Sequence, residues 1–250
     1  MKISIITAVF NNEQTINRAL SSINNQSYKN IEHIIIDGDS NDATTSIIKK
    51  QIKKNDLFIS EPDHGIYDAL NKGLALATGD IVGFLHADDL YSNNFVLAKV
   101  VELFKNKKVD IVYGDASFFD DDNISKIVRK YKSDKLSKKN LAWGRMPVHT
   151  SMFIKKNIYE KFGFFRTEFK IGGDYDFLCR IISYDGLLSY YEPETFMLMQ
   201  RGGISTTRTF KNTILINKEI LKSIKDNNIY TNIFMVLSRY FFKIMQFIWK

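Results

Sequence analysis

Five short β-branched runs alternate with four stretches whose apolar residues recur at helical spacing, and this alternation fixes what the first 114 residues can become. The runs are ISIITAVF, IEHIIID, LFIS, DIVGFLH and VDIVYG; the helical stretches are TINRALSSI, ATTSIIKKQI, IYDALNKGLALA and FVLAKVVELF. Strands joined through helices predict right-handed crossovers and a mainly parallel sheet with flanking helices. In such α/β sheets ligands bind beyond the carboxyl ends of the strands, so the residues just after each run are the ones to inspect. They are acidic: Asp37 and Asp39 follow the second run, Glu61 and Asp63 the third, His86, Asp88 and Asp89 the fourth, and Asp115 the fifth.

Past Gly114 the pattern changes. FFDDDNISKIVRKYK reads as a β-hairpin with an acidic turn, KSDKLSKKN as a solvated basic connection, VHTSMFIKKNIYEKF as a strand then a helix, GGDYDFLCRII as a loop then a helix, and LLSYYEPETFMLM as further strands. The 250 residues suit one α/β domain with an appendage, and neither a repeat nor a long linker divides them. The single Cys179 excludes an internal disulfide framework and a cysteine-built metal site, and it fits a reducing cytoplasm. Any metal must sit on oxygen or histidine.

Charge is unevenly placed. The whole chain carries +7, yet residues 1–200 hold 26 basic and 26 acidic side chains, whereas residues 201–250 hold nine and two. Basicity confined to a tail is poor support for a nucleic-acid reader, which spreads it over the folded surface. The opening MKISIITAVF meets Asn11, Asn12 and Glu13 at once and reads as a strand, not a signal peptide. NIYTNIFMVLSRYFFKIMQFIWK is apolar and aromatic but interrupted by Arg239 and Lys243, which suits a helix lying in a membrane interface or against a partner rather than a span of about 20 residues.

Each acidic motif has a plain structural alternative. In DGDSNDAT, Asp42 or Ser40 would cap a helix, while Asp37 and Asp39 would otherwise recognise a base and ribose. In SEPDHGIYDALNK, Asp63 and Gly65 form a turn, and Asp68 and Lys72 stand four apart as a surface ion pair would. Asp88 and Asp89 would cap the next helix, yet converging carboxylates repel unless a cation joins them, and oxygen ligands select Mg²⁺ or Mn²⁺ shared with phosphate oxygens. In IGGDYDFLCR one acid starts a helix, and Asp174, after two glycines, stands where a carboxylate would serve as general base. His86, His64 and His149 are ambiguous between core and catalyst. Arg201, before Gly202 and Gly203, is a candidate phosphate contact.

In this order and spacing, ISIITAVFNN, DGDSNDAT, SEPDHGIYDALNKGLALATGDIVGFLHADD and GGDYDFLCR resemble the family-2 glycosyltransferases of GT-A (Rossmann-like) fold, above all bacterial enzymes of O-antigen, capsule and colanic-acid type polysaccharide biosynthesis. The resemblance covers roughly residues 1–205, with 206–250 as a basic, aromatic helical tail. It implies a nucleotide-diphosphate sugar donor, Mg²⁺ or Mn²⁺, and inversion at the anomeric carbon. Thr7, Ala8, Val9, Asn11, Asp37, Asp39, Asp63, Asp68, Lys72, His86, Asp88, His149 and Arg201 would bind the nucleotide-sugar, Asp89 would be the metal acid of the DXD-like motif, and Asp174 the catalytic base.

Two positions depart from the family pattern. Gly173 stands where a glutamate usually precedes the base, and His86 where an acid or Asn is common. The QxxRW motif of processive synthases is absent, which favours transfer of one sugar, to a glycan or lipid-linked glycan acceptor. The expected location is cytoplasmic, with peripheral contact to the cytoplasmic face of the inner membrane through the tail, or a homodimer contact there; no nucleic-acid partner is expected. The rival readings are a sugar nucleotidyltransferase, disfavoured because TAVFNNEQT holds no glycine for a phosphate loop, and a non-enzymatic basic membrane-surface or nucleic-acid binding module.

Overall fold

The structure, a computed structural model, describes residues 1–120, 123–200 and 210–248. Its first half follows the alternation: β1 (Ile3–Val9), α1 (Ile16–Asn24), β2 (Ile31–Asp37), α2 (Thr44–Gln51), β3 (Leu57–Ser60), α3 (Ile66–Leu76), β4 (Ile81–Phe84), a short β5 (Leu90–Tyr91) and α4 (Val96–Lys107). Then come β6 (Ile111–Asp120), β7 (Asn123–Tyr131), α5 (Lys138–Ala142), β8 (Met152–Lys155), α6 (Lys156–Phe162), α7 (Gly173–Ile181), β9 (Ser189–Met199), α8 (Phe210–Asp226) and α9 (Ile233–Ile248).

One sheet runs β3-β2-β1-β4-β8-β6-β9-β5, with β7 paired to β6. The β3-β2-β1-β4 part is parallel, in the register Ile3–Ile31, Ile3–Ile81 and Ile34–Leu57. Beyond it the sheet is mixed. β8 lies antiparallel between β4 and β6, and the chain reaches it from β6 through the β7 hairpin and the short α5. The tip of that hairpin, residues 121–122, lies outside the described residues. Most of LLSYYEPETFMLM, from Ser189, forms one long strand, whose register against β6 shifts between Tyr113 and Asp115, at the bulge that holds Pro193. The basic connection contains α5, capped by Ser137 Oγ accepting from Asn140 N at 3.2 Å.

Alternation along the strands builds two large cores, and a smaller third gathers Val9, Ile16, Leu20, Ile35, Ile48 and Ala87. Ile6, Ile34, Ile36, Val82, Phe84 and Ile154 face α3, α6, α7 and α8; Ile3, Ile5, Ile81, Val112 and Phe153 face α1 and α4. Helix α1 buries Ile16, Ala19, Leu20 and Ile23, the i, i+3, i+4, i+7 stripe of an amphipathic helix. Helix α3 comes unusually close to β1, where a Cβ at Gly73 would lie 2.4 Å from Ile6 Cγ2. This approach brings the start of α3 beside the ends of β1 and β4.

The C-terminal helices are packed into the first of these cores. Ile220, Ile224 and Val236 are buried in it, and Arg239 Nη2 bonds Asn217 Oδ1 at 3.2 Å and Tyr240 Oη at 3.1 Å. Among the described residues no helix is long and apolar enough to cross a membrane.

Candidate active site

Beyond the carboxyl ends of β1 and β4 opens a cavity of about 590 Å³. The β1 end supplies Ala8, Val9, Phe10 and Asn12; the loop into α3 supplies Asp63, Gly65, Ile66 and Tyr67; the β4 end supplies His86, Asp88 and Asp89. The far wall is His149, Lys170, Ile171 and Asp174, with Met199 and Gln200 at the end of β9. Of the residues singled out in the sequence, the cavity thus gathers Ala8, Val9, Asp63, His86, Asp88, Asp89, His149 and Asp174. A second, more open groove, of about 700 Å³, lies elsewhere, between Lys138, Lys139, Arg180 and Tyr230, and holds none of them.

Asp89 is 2% exposed. Burial, then the neighbouring Asp88 charge, pushes its carboxyl well above the usual range, against the Gln200 backbone N–H and the Arg18 guanidinium, which pull it down. Arg18, on α1, also donates to Gln200 Oε1 and lies 5.1 Å over the Phe119 ring. Asp174 is raised by burial, opposed by hydrogen bonds from Tyr175 N (2.8 Å) and Tyr67 Oη (3.2 Å) and by His86. Both bonds end on Oδ1; among the described residues Oδ2 carries none.

The two histidines complete the floor. Their rings are 6.2 Å apart, and His149 stacks on Phe84 at 5.2 Å. Burial and then His149 lower His86, while Asp88 and Asp174 oppose the shift; burial alone lowers His149 to about 4. Both are neutral near pH 7, and His149 Nε2 is buried with no hydrogen-bond partner among the described residues. A buried nitrogen without a partner has capacity for a ligand atom.

Gly173 has a physical reason. A Cβ there would lie 2.8 Å from Tyr67 Cζ, so the tyrosine ring occupies the room that the family's usual glutamate would need. Tyr67 Oη shares its proton between the Ile171 carbonyl at 2.6 Å and Asp174.

The other sequence candidates stand outside the cavity wall. Thr7 is fully buried, its hydroxyl 3.0 Å from His33 Nε2, whose burial holds it at about 3. Asp37 is fully buried, accepting from Ser40 N (3.0 Å), Ser40 Oγ and Ser60 Oγ (2.7 Å), so its carboxylate knits a turn. Asp39 is exposed at φ 67°, and Asn11, at φ 49°, receives Asn41 N on Oδ1 at 2.9 Å. Their loop still reaches the rim: a Cβ at Gly38 would lie 2.5 Å from Asp63 Oδ2. Asp68 accepts from His64 N, and Lys72 pairs with Glu61 at 2.7 Å and Asp68 at 3.8 Å, locking the first turn of α3. Arg201 lies outside the described residues.

The donor set suits a divalent cation of a particular kind. Among the described residues no three metal-capable side chains gather, and no ion pair involves Asp88, Asp89 or Asp174. Asp88 and Asp89, adjacent on the cavity wall, could hold an ion that takes one or two protein oxygens and completes its shell from phosphate and water.

The strand-end cavity lies where α/β sheets bind ligands, and comparison with known proteins gives the class: a glycosyltransferase of GT-A fold. The chain belongs to glycosyl transferase family 2: residues 4–168 match the family's model. It is 33% identical over 181 residues to an uncharacterised glycosyltransferase of Mycobacterium tuberculosis, covering 71% of this chain and 68% of that one. It is also 27% identical over 224 residues to a PGL/p-HBAD biosynthesis glycosyltransferase of Mycobacterium bovis, covering 88% and 82%.

Two solved structures share the fold. S. aureus TarS 1–349 superposes with a TM-score of 0.69 at 16% identity, over 96% of this chain and 72% of that one. Mannosyltransferase PcManGT from Pyrobaculum calidifontis, in complex with GDP-Man and Mn²⁺, gives 0.66 at 19% identity, over 92% and 65%. The chain spans 40% of the longer S. aureus TarS chain.

Proposed function

We propose that the protein transfers one sugar, with inversion, from a nucleotide-diphosphate sugar to a hydroxyl of a glycan or lipid-linked glycan in cell-surface polysaccharide biosynthesis. The observation that carries this reading is that Asp89, in the loop after β4, and Asp174, on α7, line one cavity. An acceptor hydroxyl is a poor nucleophile. Asp174 Oδ2 takes its proton as the oxygen attacks the anomeric carbon from the face opposite the leaving group. The raised Asp174 pKa makes the carboxylate a stronger base than an ordinary aspartate, while Tyr67 and Tyr175 N hold its other oxygen.

Asp89, with Asp88 beside it, would hold Mg²⁺ or Mn²⁺, which when bound neutralises the charge on the departing diphosphate. Ala8, Val9 and the Asp37–Asp39 loop lie on the nucleoside side, Asp63 at the rim between them, and His149 Nε2 is offered to the donor. General-base assistance contributes about 10²- to 10⁴-fold, so orientation and charge neutralisation supply the rest. Asp89→Ala separates these roles. Calorimetry with UDP and GDP is expected to show Mn²⁺-dependent binding in the wild type and loss of the Mn²⁺ increment in the variant; equal increments in both would remove the metal role from Asp89.

The acceptor side of this reading draws on the tail. Tyr230 and Phe234 are 82% and 81% exposed, Leu237 and Trp143 are also exposed, and Lys138, Lys139, Ala142 and Tyr230 line one groove. Thr231 Oγ1 donates to the Ala142 carbonyl, which joins the two segments into one aromatic and basic surface. Such a surface fits the cytoplasmic leaflet of a membrane that holds lipid-linked substrates.

A further inference from the structure

Helix α8 reaches the site through Glu219. Its side chain is buried at 7% exposure, and its carboxylate accepts three consecutive backbone N–H groups: Lys170 N on Oε1 at 2.8 Å, Ile171 N on Oε2 at 3.0 Å and Gly172 N on Oε2 at 2.7 Å. Successive N–H groups turned inward form a concave anion seat, and here the seat leads directly into α7. The residue that precedes α7, Gly172, has no side chain to cap it, so the negative charge that favours a helix start comes from 47 residues downstream.

The seat belongs to the cavity wall. Lys170 and Ile171 line the cavity, the Ile171 carbonyl holds Tyr67 Oη, and Tyr67 Oη meets Asp174 two residues past Gly172. Glu219 itself lines no part of the cavity. A Cβ at Gly172 would come within 3.2 Å of Glu219 Cβ, so the loop and the carboxylate are in tight contact.

We propose that Glu219 is a positioning residue for the Asp174 base, and that α8 is for this reason part of the catalytic unit. Release of the seat frees the 170–172 loop, loosens the Tyr67 bridge, and lets the Asp174 carboxylate wander. A misplacement of about 1 Å costs on the order of 10²-fold in rate. The proposal rests on the reading of Asp174 as base.

The test compares Glu219→Gln, Glu219→Asp, Lys222→Ala and Asp174→Asn in the full chain, with nucleoside diphosphate release from UDP- and GDP-sugars as the rate and calorimetry with UDP and GDP as the binding measure. Glutamine has one acceptor oxygen and sets an NH₂ against a backbone N–H. Its kcat is expected to fall at least about tenfold, with nucleoside diphosphate affinity within about twofold of wild type. The acid limb of its rate profile should move up, because Asp174 loses the Tyr67 hydroxyl that lowers it. Aspartate keeps the charge and should give an intermediate kcat, which decides the matter if the glutamine variant does not fold. Lys222 lies on the same helix, pairs with Glu168 and Asp226 at the surface and lies 5.1 Å over the Phe169 ring, but touches neither Glu219 nor the 170–172 backbone in any hydrogen bond among the described residues, so its alanine variant should keep wild-type kcat. Wild-type kcat in the folded Glu219 variants, or equal falls in kcat and affinity, would overturn the proposal. Wild-type kcat in Asp174→Asn would overturn the base assignment instead.

Discussion

Replacing Gly173 by alanine puts a methyl group where the Tyr67 ring already stands. The new carbon would lie 2.8 Å from Cζ and 2.9 Å from Cε1 and Cε2, against about 3.5 Å or more for ordinary carbon contacts. The ring must therefore retreat by about 0.7 Å. It has little room: it packs on Phe165 with centroids 5.5 Å apart, and its hydroxyl is tied to Ile171. Overpacking of this kind costs about 1–3 kcal/mol. Loss of the Tyr67 hydroxyl bond adds about 1 kcal/mol, and the better helix propensity of alanine returns a similar amount. The net expectation is a loss of about 1–3 kcal/mol in denaturant unfolding, or roughly 2–4 °C of melting temperature per kcal/mol at this size.

Activity should fall further than stability. As Tyr67 moves it leaves Asp174, so kcat drops while binding of UDP or GDP with Mn²⁺ is retained. Tyr67→Leu removes the clashing ring, and the Gly173→Ala/Tyr67→Leu pair should therefore be non-additive in stability. Wild-type stability and wild-type turnover in Gly173→Ala would refute the account of why glycine stands here.

Glu32 is a second point of leverage, remote from the cavity. Burial raises its carboxyl, but hydrogen bonds from Lys2, Ser4 and Thr78 outweigh that and hold it at about 2, below its ordinary 4.5. A depressed acid stabilises the fold fully above pH 4.5, and that contribution is lost as pH falls toward 2. Glu32→Gln is expected to lose about 1–3 kcal/mol at pH 7 and to converge with wild type near pH 2; equal unfolding free energies at pH 7 would show the network to be idle. For the aromatic and basic surface, the full chain should co-sediment with phosphatidylglycerol vesicles and Phe234→Glu should weaken this, whereas a wild type that stays in the supernatant would remove membrane contact from the reading.

The parallel half of the sheet and its acid-bearing strand ends were legible because both signals are local. β-Branched runs and 3.6-residue spacing specify β1 to β4 and their helices, and an acid after a strand needs no partner to be noticed. The place of β8 between β4 and β6 was not legible, since it depends on pairings across some 70 residues of chain. At Asp37 the motif gives the position but not the surroundings. The residue stands in the expected position, but Ser40 and Ser60 already occupy its oxygens. Tyr67, Arg18 and Glu219 carried no signal at all, because each matters only through residues that folding brings to it: Gly173 and Asp174, Asp89 and Gln200, and the 170–172 backbone.

Transfer by Asp174→Asn, measured beside its affinity for UDP and GDP in the presence of Mn²⁺, puts the division of labour between the two aspartates to the most direct trial. The amide keeps the shape of the side chain and loses its basicity. Affinity at the wild-type level with sugar transfer down by at least about 10²-fold is the expected result; turnover close to wild type would contradict it.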